Sequence, residues 1–457
     1  MREPASFRDP SGFLFHEGSK LLRQVNLSYK DPYDLLMSSG LYDKLIKGGI
    51  LISHQEIKHK GAEPQLAYKV IQPEKVEFIS YPYEWSFHEL KDAALVTLRL
   101  QQRALEFGMI LKDASAYNIQ LHNGRMRLID TLSFDIYEEG KPWDAYRQFC
   151  QHFLAPLALM AYTDIRLSQL MRVYIDGIPL DLAVKLLPFK ARLNAGLLSH
   201  VYLHAAAQNW TSDQKSDKPT PASKMTRNAL LGLVSSLEST VRKLDWKPAG
   251  TEWADYYDIT NYSNNAFDEK KKIVSGFIRA CKPKQVWDLG GNTGVFSRLA
   301  SEKGILTVSS DIDPSAVDRN YLEMKEKKET SIIPLVLDLT NPSAGIGWAN
   351  RERESFAQRG PVDMVMALAL IHHLAISNNV PLGQVAEYFS ELGKWLVIEF
   401  IPKEDSQVQI LLKNRKDIFD HYNQKDFETE FGKYFKLNLK KLVKGSKRTM
   451  YFFEKRK

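Results

Sequence analysis

The chain has 457 residues, 44% hydrophobic and 26% charged, with 62 Lys and Arg against 55 Asp and Glu, a net charge of +7. That length suits two or three domains, and the composition excludes disordered and membrane-embedded classes, since no apolar run approaches the ~20 residues of a span. Two cysteines, Cys150 and Cys281, argue against a disulfide framework; with an N-terminus (Met1-Arg2-Glu3-Pro4) that carries no apolar leader, they lead us to expect a reducing, cytoplasmic setting.

In chain order, Phe13–Phe15 and Lys20–Val25 flank Glu17-Gly18 and read as a hairpin. Helical pattern follows near Tyr33–Ile46, then strands at Ala67–Ile71 and Glu77–Ser80. Ser86-Phe87-His88-Glu89 is a capping box opening a helix that carries Leu90, Ala93, Ala94, Leu98 and Leu105 and stops at Gly108. Beyond it lie Asp113 and Asn118, then a hairpin leading to Leu128-Ile129-Asp130-Thr131, and further helical stretches over Ala145–Met160.

The spacing of Asp113, Asn118 and Asp130 resembles the catalytic lobe of the protein-kinase-like fold, over about residues 10–205. The resemblance implies an α+β domain with Asp113 as base or hydroxyl orienter, and Asn118 and Asp130 holding magnesium on the phosphates of ATP. The pattern departs from that family in four places. Lys112 precedes the aspartate where an arginine or glycine is common, and the histidine before it is absent. No glycine-rich phosphate loop comes earlier, and Thr131-Leu132 replaces the aromatic-glycine pair after Asp130. The lysine for phosphate contact stays open between Lys20 and Lys69. These departures favour a kinase-like fold with lost or altered activity over a working kinase.

Residues 211–225 are polar and proline-containing and read as a flexible linker between a kinase-like domain at 1–210 and a second domain at 226–457. A helix is expected over Arg227–Leu244, then a Trp/Tyr-rich lead-in, Trp253–Phe267, in which Tyr262 and Phe267 are lid candidates. Val286-Trp287-Asp288 then runs into a glycine turn (Gly290, Gly291, Gly294) and a helix start. In an open parallel sheet, a nucleotide-like ligand sits at such a turn. Strand Leu306–Ser310 ends in Asp311-Ile312-Asp313-Pro314. An acidic residue there, about 20 residues past the glycine turn, suits two ribose hydroxyls. Asp311 is preferred for this, because Asp313 is placed to cap the helix opening at Pro314. Further strands are Ile332–Leu337, ending in Asp338; Met364–Leu368, followed by His372-His373; and Trp395–Phe400, containing Glu399. Helical pattern separates them over Ala316–Lys327 and Gln384–Leu392, and Tyr434–Val443 and Thr449–Glu454 close the chain as a basic hairpin. Its lysines read as protection of an exposed strand edge ahead of a nucleic-acid or phosphate surface.

This order of motifs resembles class I S-adenosylmethionine-dependent methyltransferases, whose sheet ends in an antiparallel strand. The resemblance covers about residues 255–457 and implies an α/β, Rossmann-like sheet. It also implies cofactor contacts from Asp288, Gly290 and Gly294 (methionine part), Asp311 (ribose) and Asp338 (adenine amine). Asn292 stands where a glycine is more usual. Each aspartate has a plainer alternative: a helix cap for Asp288, a loop residue for Asp338. His372 or His373 is either a general base or a packing and substrate-orienting residue. Alignment alone suffices for much of methyl transfer from a sulfonium.

Several blocks across the chain, among them Ser80–Trp85, Lys112–Ile119, Trp143–Cys150, Asp176–Leu180 and Glu399–Lys403, resemble the NoeA-type proteins, which are described as methyltransferases. The expected function is therefore methyl transfer from S-adenosylmethionine to a small-molecule or saccharide hydroxyl. The alternatives are a bifunctional kinase-methyltransferase using magnesium-ATP as well, and a methyltransferase with a non-catalytic N-terminal binding module. Ala367-Leu368-Ala369-Leu370 stands where nucleic-acid amino methyltransferases carry Asn-Pro-Pro-Tyr, which weakens the case for nucleic acid. No metal cluster is expected by spacing, and the oligomeric state is not legible in the sequence.

Overall fold

The computed structural model describes residues 2–207, 225–247, 264–413 and 416–456. Of the expected linker only Met225 is described, and Tyr262 lies outside the described residues. The chain forms two compact units, Met1–Lys247 with Ile346–Arg353, and Pro248–Gly345 with Glu354–Lys457.

The first unit opens on four antiparallel strands: β1 (Gly12–Glu17), β2 (Lys20–Asn26), β3 (His54–Ile57) and β4 (Ala67–Pro73), in the order β1-β2-β4-β3. Alternation along β1 and β2 turns Phe13, Phe15 and Leu22 to a common side, where they pack with Val70. The helical pattern near Tyr33–Ile46 is two helices, Lys30–Ser38 and Leu41–Lys47, broken at Gly40, whose φ of +87° suits glycine. The strand expected at Glu77–Ser80 does not form, since the Gln120 side chain takes both the N–H and the C=O of Ser80 and leaves no ladder to join.

The long helix is Phe87–Glu106, and its capping box is formed: Glu89 Oε2 accepts from the Ser86 N–H at 2.8 Å. Then come β5 (Met109–Leu111), the hairpin β6 (Ile119–His122) and β7 (Arg125–Leu128), and β8 (Phe134–Ile136) paired with β5. Asn123-Gly124 makes the hairpin turn with φ of +50° and +70°, the pair of positive values a two-residue turn of right-twisted strands needs. Beyond it, the expected helix Ala145–Met160 is helical but passes through a π-helical turn at Cys150–Leu154.

One boundary differs from the sequence reading. Helix Arg227–Lys243 belongs to the first unit, where it packs on Phe87–Glu106. Gln102 Nε2 donates to Glu238 at 3.2 Å, and Lys91 Nζ donates to the Leu244 carbonyl at 2.6 Å. A helix that follows a linker in sequence joins whichever apolar face its own stripe (Leu230, Val234, Leu237, Val241) meets.

The second unit is a seven-stranded sheet in the order β11-β10-β9-β12-β13-β15-β14. Its strands are β9 (Gln285–Leu289), β10 (Leu306–Asp311), β11 (Ile332–Val336), β12 (Val362–Ala367), β13 (Gly393–Phe400), β14 (Phe435–Leu442) and β15 (Thr449–Lys455). The first five run parallel and β15 runs antiparallel to β13. This is the Rossmann-like class I methyltransferase sheet with its terminal antiparallel hairpin. Helix Asn264–Cys281 covers one face with Ile273, Val274, Phe277 and Ile278, against Val286, Met364, Val397 and Phe452. The strand order reverses beside β9, so the carboxyl ends of β9 and β12 open a crevice there.

Gly196 tests the placement of the Arg227–Lys243 helix. A Cβ there would overlap the side chain of Thr240, whose Oγ1 is held by the Ser236 carbonyl at 2.8 Å. We expect Gly196→Ala to destabilise the protein by about 1–3 kcal/mol in urea unfolding, through overpacking. Unchanged stability would mean that the helix does not pack there.

Candidate functional site

The crevice is a cavity of about 310 Å³ lined from the carboxyl ends of β9, β10, β11 and β12. Asp288, Gly290, Gly291 and Asn292 come from the end of β9 and its turn, and Asp311 and Ile312 from β10. Leu337 to Thr340 follow β11, and Leu368, Ala369 and Leu370 follow β12. His373, Leu374, Ser377, Asn378, Leu411, Phe267, Lys270 and Phe296 complete the wall. The sequence-chosen Asp288, Gly290, Asp311, Asp338 and His373 thus meet in one cavity. Gly294 and His372 do not line it.

The glycine turn is built for close approach. Gly290 has φ of +75°, and the N–H groups of Gly290 and Gly291 donate to the Ser310 carbonyl at 2.9 and 2.8 Å. A Cβ on Gly291 would lie 2.7 Å from Ser309 Oγ. Asn292 has φ of +48°, which asparagine tolerates better than other non-glycine residues, so its departure from the usual glycine is benign. Gly294, at φ +80°, is a packing glycine: its added Cβ would meet Asn320 and Arg298.

Asp288 is buried, and Ser297 Oγ donates to its Oδ2 at 2.6 Å. Its Oδ1 is buried in the cavity wall without a hydrogen-bond partner. Burial pushes the Asp288 carboxyl up to about 6, against the opposing pull of Ser297 and the Lys270 charge. Asp311 Oδ2 accepts from the Asn292 N–H at 2.8 Å and Oδ1 from the Asp313 N–H at 3.0 Å; burial raises it to about 6 as well. Asp313 caps the helix Pro314–Lys327 through the Ser315 N–H at 2.8 Å, as the sequence alternative had it, which leaves Asp311 to the cavity. Asp338 accepts from the N–H and hydroxyl of Thr340 at 2.8 and 2.7 Å.

His372 is buried, and desolvation holds its imidazole well below the ordinary value, with the neighbouring His373 lowering it further. His373, ring to ring with it at 4.1 Å, faces the cavity and is lowered by burial to about 4, so it is neutral near pH 7. Phe267 stands edge-on to Phe296 at 5.4 Å in the wall.

Sequence reasoning missed Lys270. Its ammonium donates to Glu399 Oε2 at 2.7 Å, both side chains are buried, and it lies 4.6 Å from the Phe296 ring centre. The same Glu399 oxygen accepts from the Ala369 N–H at 2.8 Å, which holds Ala369 at φ +51° where the wall turns. Desolvation lowers the Lys270 ammonium and Glu399 opposes it. Spacing gave one usable signal: Lys270 falls among the apolar positions of helix Asn264–Cys281, four residues after Ala266 and three before Ile273, both buried.

The kinase-like residues also converge, within the first unit. Asn118 Nδ2 donates to Asp113 Oδ2 at 2.9 Å, and Gln148 Nε2 donates to Asp113 Oδ1 at 2.8 Å. Burial, and then the nearby Asp130 charge, raise the Asp113 carboxyl above its ordinary value. Asp130 pairs with the largely buried Arg23 of β2, Nη1 to Oδ1 at 2.6 Å, and caps the turn at Leu132. Lys69 is on β4 and pairs with Glu56 of β3 at 2.7 Å, while Lys20 opens β2. Among the described residues no group of three His, Cys, Asp or Glu is arranged to hold a metal ion.

Fold and site together define a protein of the class I methyltransferase fold joined to a kinase-like α+β unit. The chain is 36% identical over 462 residues to nodulation protein NoeA of Rhizobium meliloti (strain 1021), taking in 99% of this chain and 96% of that protein. It belongs to the NoeA family. No protein-family model matches it. Solved structures align over less than half the chain. The bifunctional kinase-methyltransferase WbdD is 16% identical over 44% of this chain and 41% of its own, with a TM-score of 0.31. The N-methyltransferase NodS from Bradyrhizobium japonicum WM9, in complex with S-adenosylhomocysteine, is 11% identical over 43% and 90%, with a TM-score of 0.32. The strand order, not these alignments, carries the fold.

Lys270→Met removes the ammonium from a buried carboxylate whose other cation, Arg448, has its Nη1 4.0 Å away. We expect a loss of about 3–5 kcal/mol in urea unfolding. Lys270→Met with Glu399→Leu should recover most of it. A single variant as stable as the parent would remove the pair from the site's support.

Proposed function

We propose that the protein transfers a methyl group from S-adenosylmethionine to a hydroxyl of a saccharide or another small acceptor. The observation that carries this reading is Asp288 in the cavity wall, its buried Oδ1 without a hydrogen-bond partner, beside a glycine turn where an added Cβ would clash. An ammonium group would satisfy it, and three carboxylates in one cavity (Asp288, Asp311, Asp338) suit a cationic ligand. Asp311, at the end of β10, accepts from a vicinal diol. S-adenosylmethionine, when bound, supplies an electrophilic methyl group on a sulfonium. Gly290 and Gly291 let the backbone approach, and the wall of Leu368, Leu370 and Leu374 keeps water out. His373, neutral and in the wall, takes or orients the proton of the acceptor hydroxyl. His372, outside the cavity, has a packing role.

The first unit reads as a kinase-like scaffold without phosphoryl transfer. Arg23 already neutralises Asp130, the carboxylate that would hold magnesium, and Asp113 already accepts from Asn118, Gln148 and the Ser115 N–H.

Calorimetric titration with S-adenosylhomocysteine should give saturable binding that Asp288→Ala weakens by about 10- to 100-fold, the worth of a charged hydrogen bond. Undiminished affinity in that variant would sink the assignment. The pH dependence has a definite sign. Asp288 and Asp311 have carboxyls raised to about 6, so by themselves they favour the fold below about pH 4, and that contribution is lost as pH rises through 6. A ligand that needs them ionised reverses the trend. The rise in melting temperature on adding S-adenosylhomocysteine should therefore be larger at pH 7.5 than at pH 5. An equal or smaller rise at pH 7.5 contradicts the ionised aspartates.

For the first unit, magnesium-ATP at millimolar concentration should give no binding heat. Asp130→Ala should instead cost about 3 kcal/mol of stability by leaving Arg23 buried and unpaired. Magnesium-dependent ATP binding that vanishes in Asp130→Ala would restore the bifunctional reading.

A further inference from the structure

The first unit carries a surface feature that neither reading uses. The short 3-10 helix Phe189–Leu193 leaves Phe189 74% and Leu193 78% exposed, and Leu186 just before it is 36% exposed. Single exposed apolar side chains are normal, but here three stand within eight residues of one another. Cations are interleaved with them in sequence: Lys190 and Arg192 are exposed, and Lys185 is 77% exposed, paired with Asp181 at 4.0 Å. The Arg192 guanidinium is within 5.9 Å of the Phe189 ring centre and 5.1 Å of the Tyr202 ring centre, so the cation stays beside the apolar tip. From Leu182 to Ser212 the sequence has no Asp or Glu.

We propose that this face docks on an anionic lipid surface, with Phe189 and Leu193 entering the headgroup boundary and Lys185, Lys190 and Arg192 meeting phosphates. Exposed apolar side chains interleaved with cations are the composition that an interfacial, non-spanning membrane contact requires. No described helix is long and apolar enough to cross a membrane, so the contact is peripheral. A second copy of the chain is a poorer occupant, because a two-fold interface sets the patch against itself and brings three cations onto three cations. An acidic protein is poorer too: anchors of protein interfaces seat in pockets of the partner within a wide buried surface, whereas this feature is one protruding turn.

The test is flotation of the full chain with vesicles of phosphatidylglycerol and phosphatidylcholine, against vesicles of phosphatidylcholine alone. Binding is expected to the anionic vesicles only and to fall as salt is added. Phe189→Ser with Leu193→Ser, and separately Lys190→Gln with Arg192→Gln, should each weaken it about tenfold or more, with thermal unfolding unchanged because all four side chains are exposed. The proposal is overturned if the parent does not float with anionic vesicles, or if both double variants float as it does. It is equally overturned if the chain ignores vesicles and instead forms a dimer that the Phe189/Leu193 variant dissolves, or binds polyglutamate through the same residues.

Discussion

The cavity of the second unit depends on one buried ion pair. Lys270 comes from the helix before β9, Glu399 from the end of β13, and the Ala369 N–H from the turn after β12, so two hydrogen bonds to one carboxylate oxygen pin three separate segments. Two charges taken out of water are tolerable only when their remaining hydrogen-bond capacity is met, which makes the geometry all-or-none. A wall fixed in this way does not have to be ordered by its ligand, and binding to a preorganised site is correspondingly less costly. The strain at Ala369, a non-glycine residue with positive φ, is sustained by the same contact.

The charges facing the cavity follow from that pair. Lys270 is committed to Glu399, so it only partly offsets the burial that raises Asp288. Asp288 and Asp311 are poorly solvated in a mostly apolar wall, and the Asp311 charge adds to the burial that raises Asp288. Protonation relieves that cost. A cationic ligand with hydroxyls relieves it without protonation. The preference for such a ligand is therefore a property of the wall as a whole, with Asp288 Oδ1 its sharpest point.

Much of the second unit was legible because parallel strands buried on both faces read as short apolar runs ending in polar punctuation. Asp288, Asp311 and Asp338 each sit at such an end. Gly294, which does not line the cavity, shows what the sequence conceals: a positive φ needed for packing looks the same as one needed for a ligand. Lys270 was hidden inside Lys270-Lys271-Lys272, where only helical phase separates a buried lysine from two solvated ones. In the first unit, His54-Gln55-Glu56-Ile57 lacks alternation and β-branched residues at three of its four positions, so β3 carried no strand signal. Its pairing with β4 is set by tertiary contact.

The two units handle their conspicuous polar residues in opposite ways, and this separates a site from its likeness. In the first, both oxygens of Asp113 are bonded by neighbouring side chains, and Asp130 is held by Arg23 and the Leu132 N–H. A ligand there would have to break bonds already made, and unpairing a buried Arg–Asp contact costs more than a new contact returns unless the ligand replaces both partners. In the second, Asp288 lines a cavity, and its Oδ1 is buried without a hydrogen-bond partner. Buried polar atoms are nearly always paired in folded proteins; Arg23 Nε beside Asp130 is unpaired too, but it belongs to a group already bonded to its carboxylate. What sets Asp288 apart is the cavity and the glycine turn next to it, and the proposed methyl transfer rests on that conjunction.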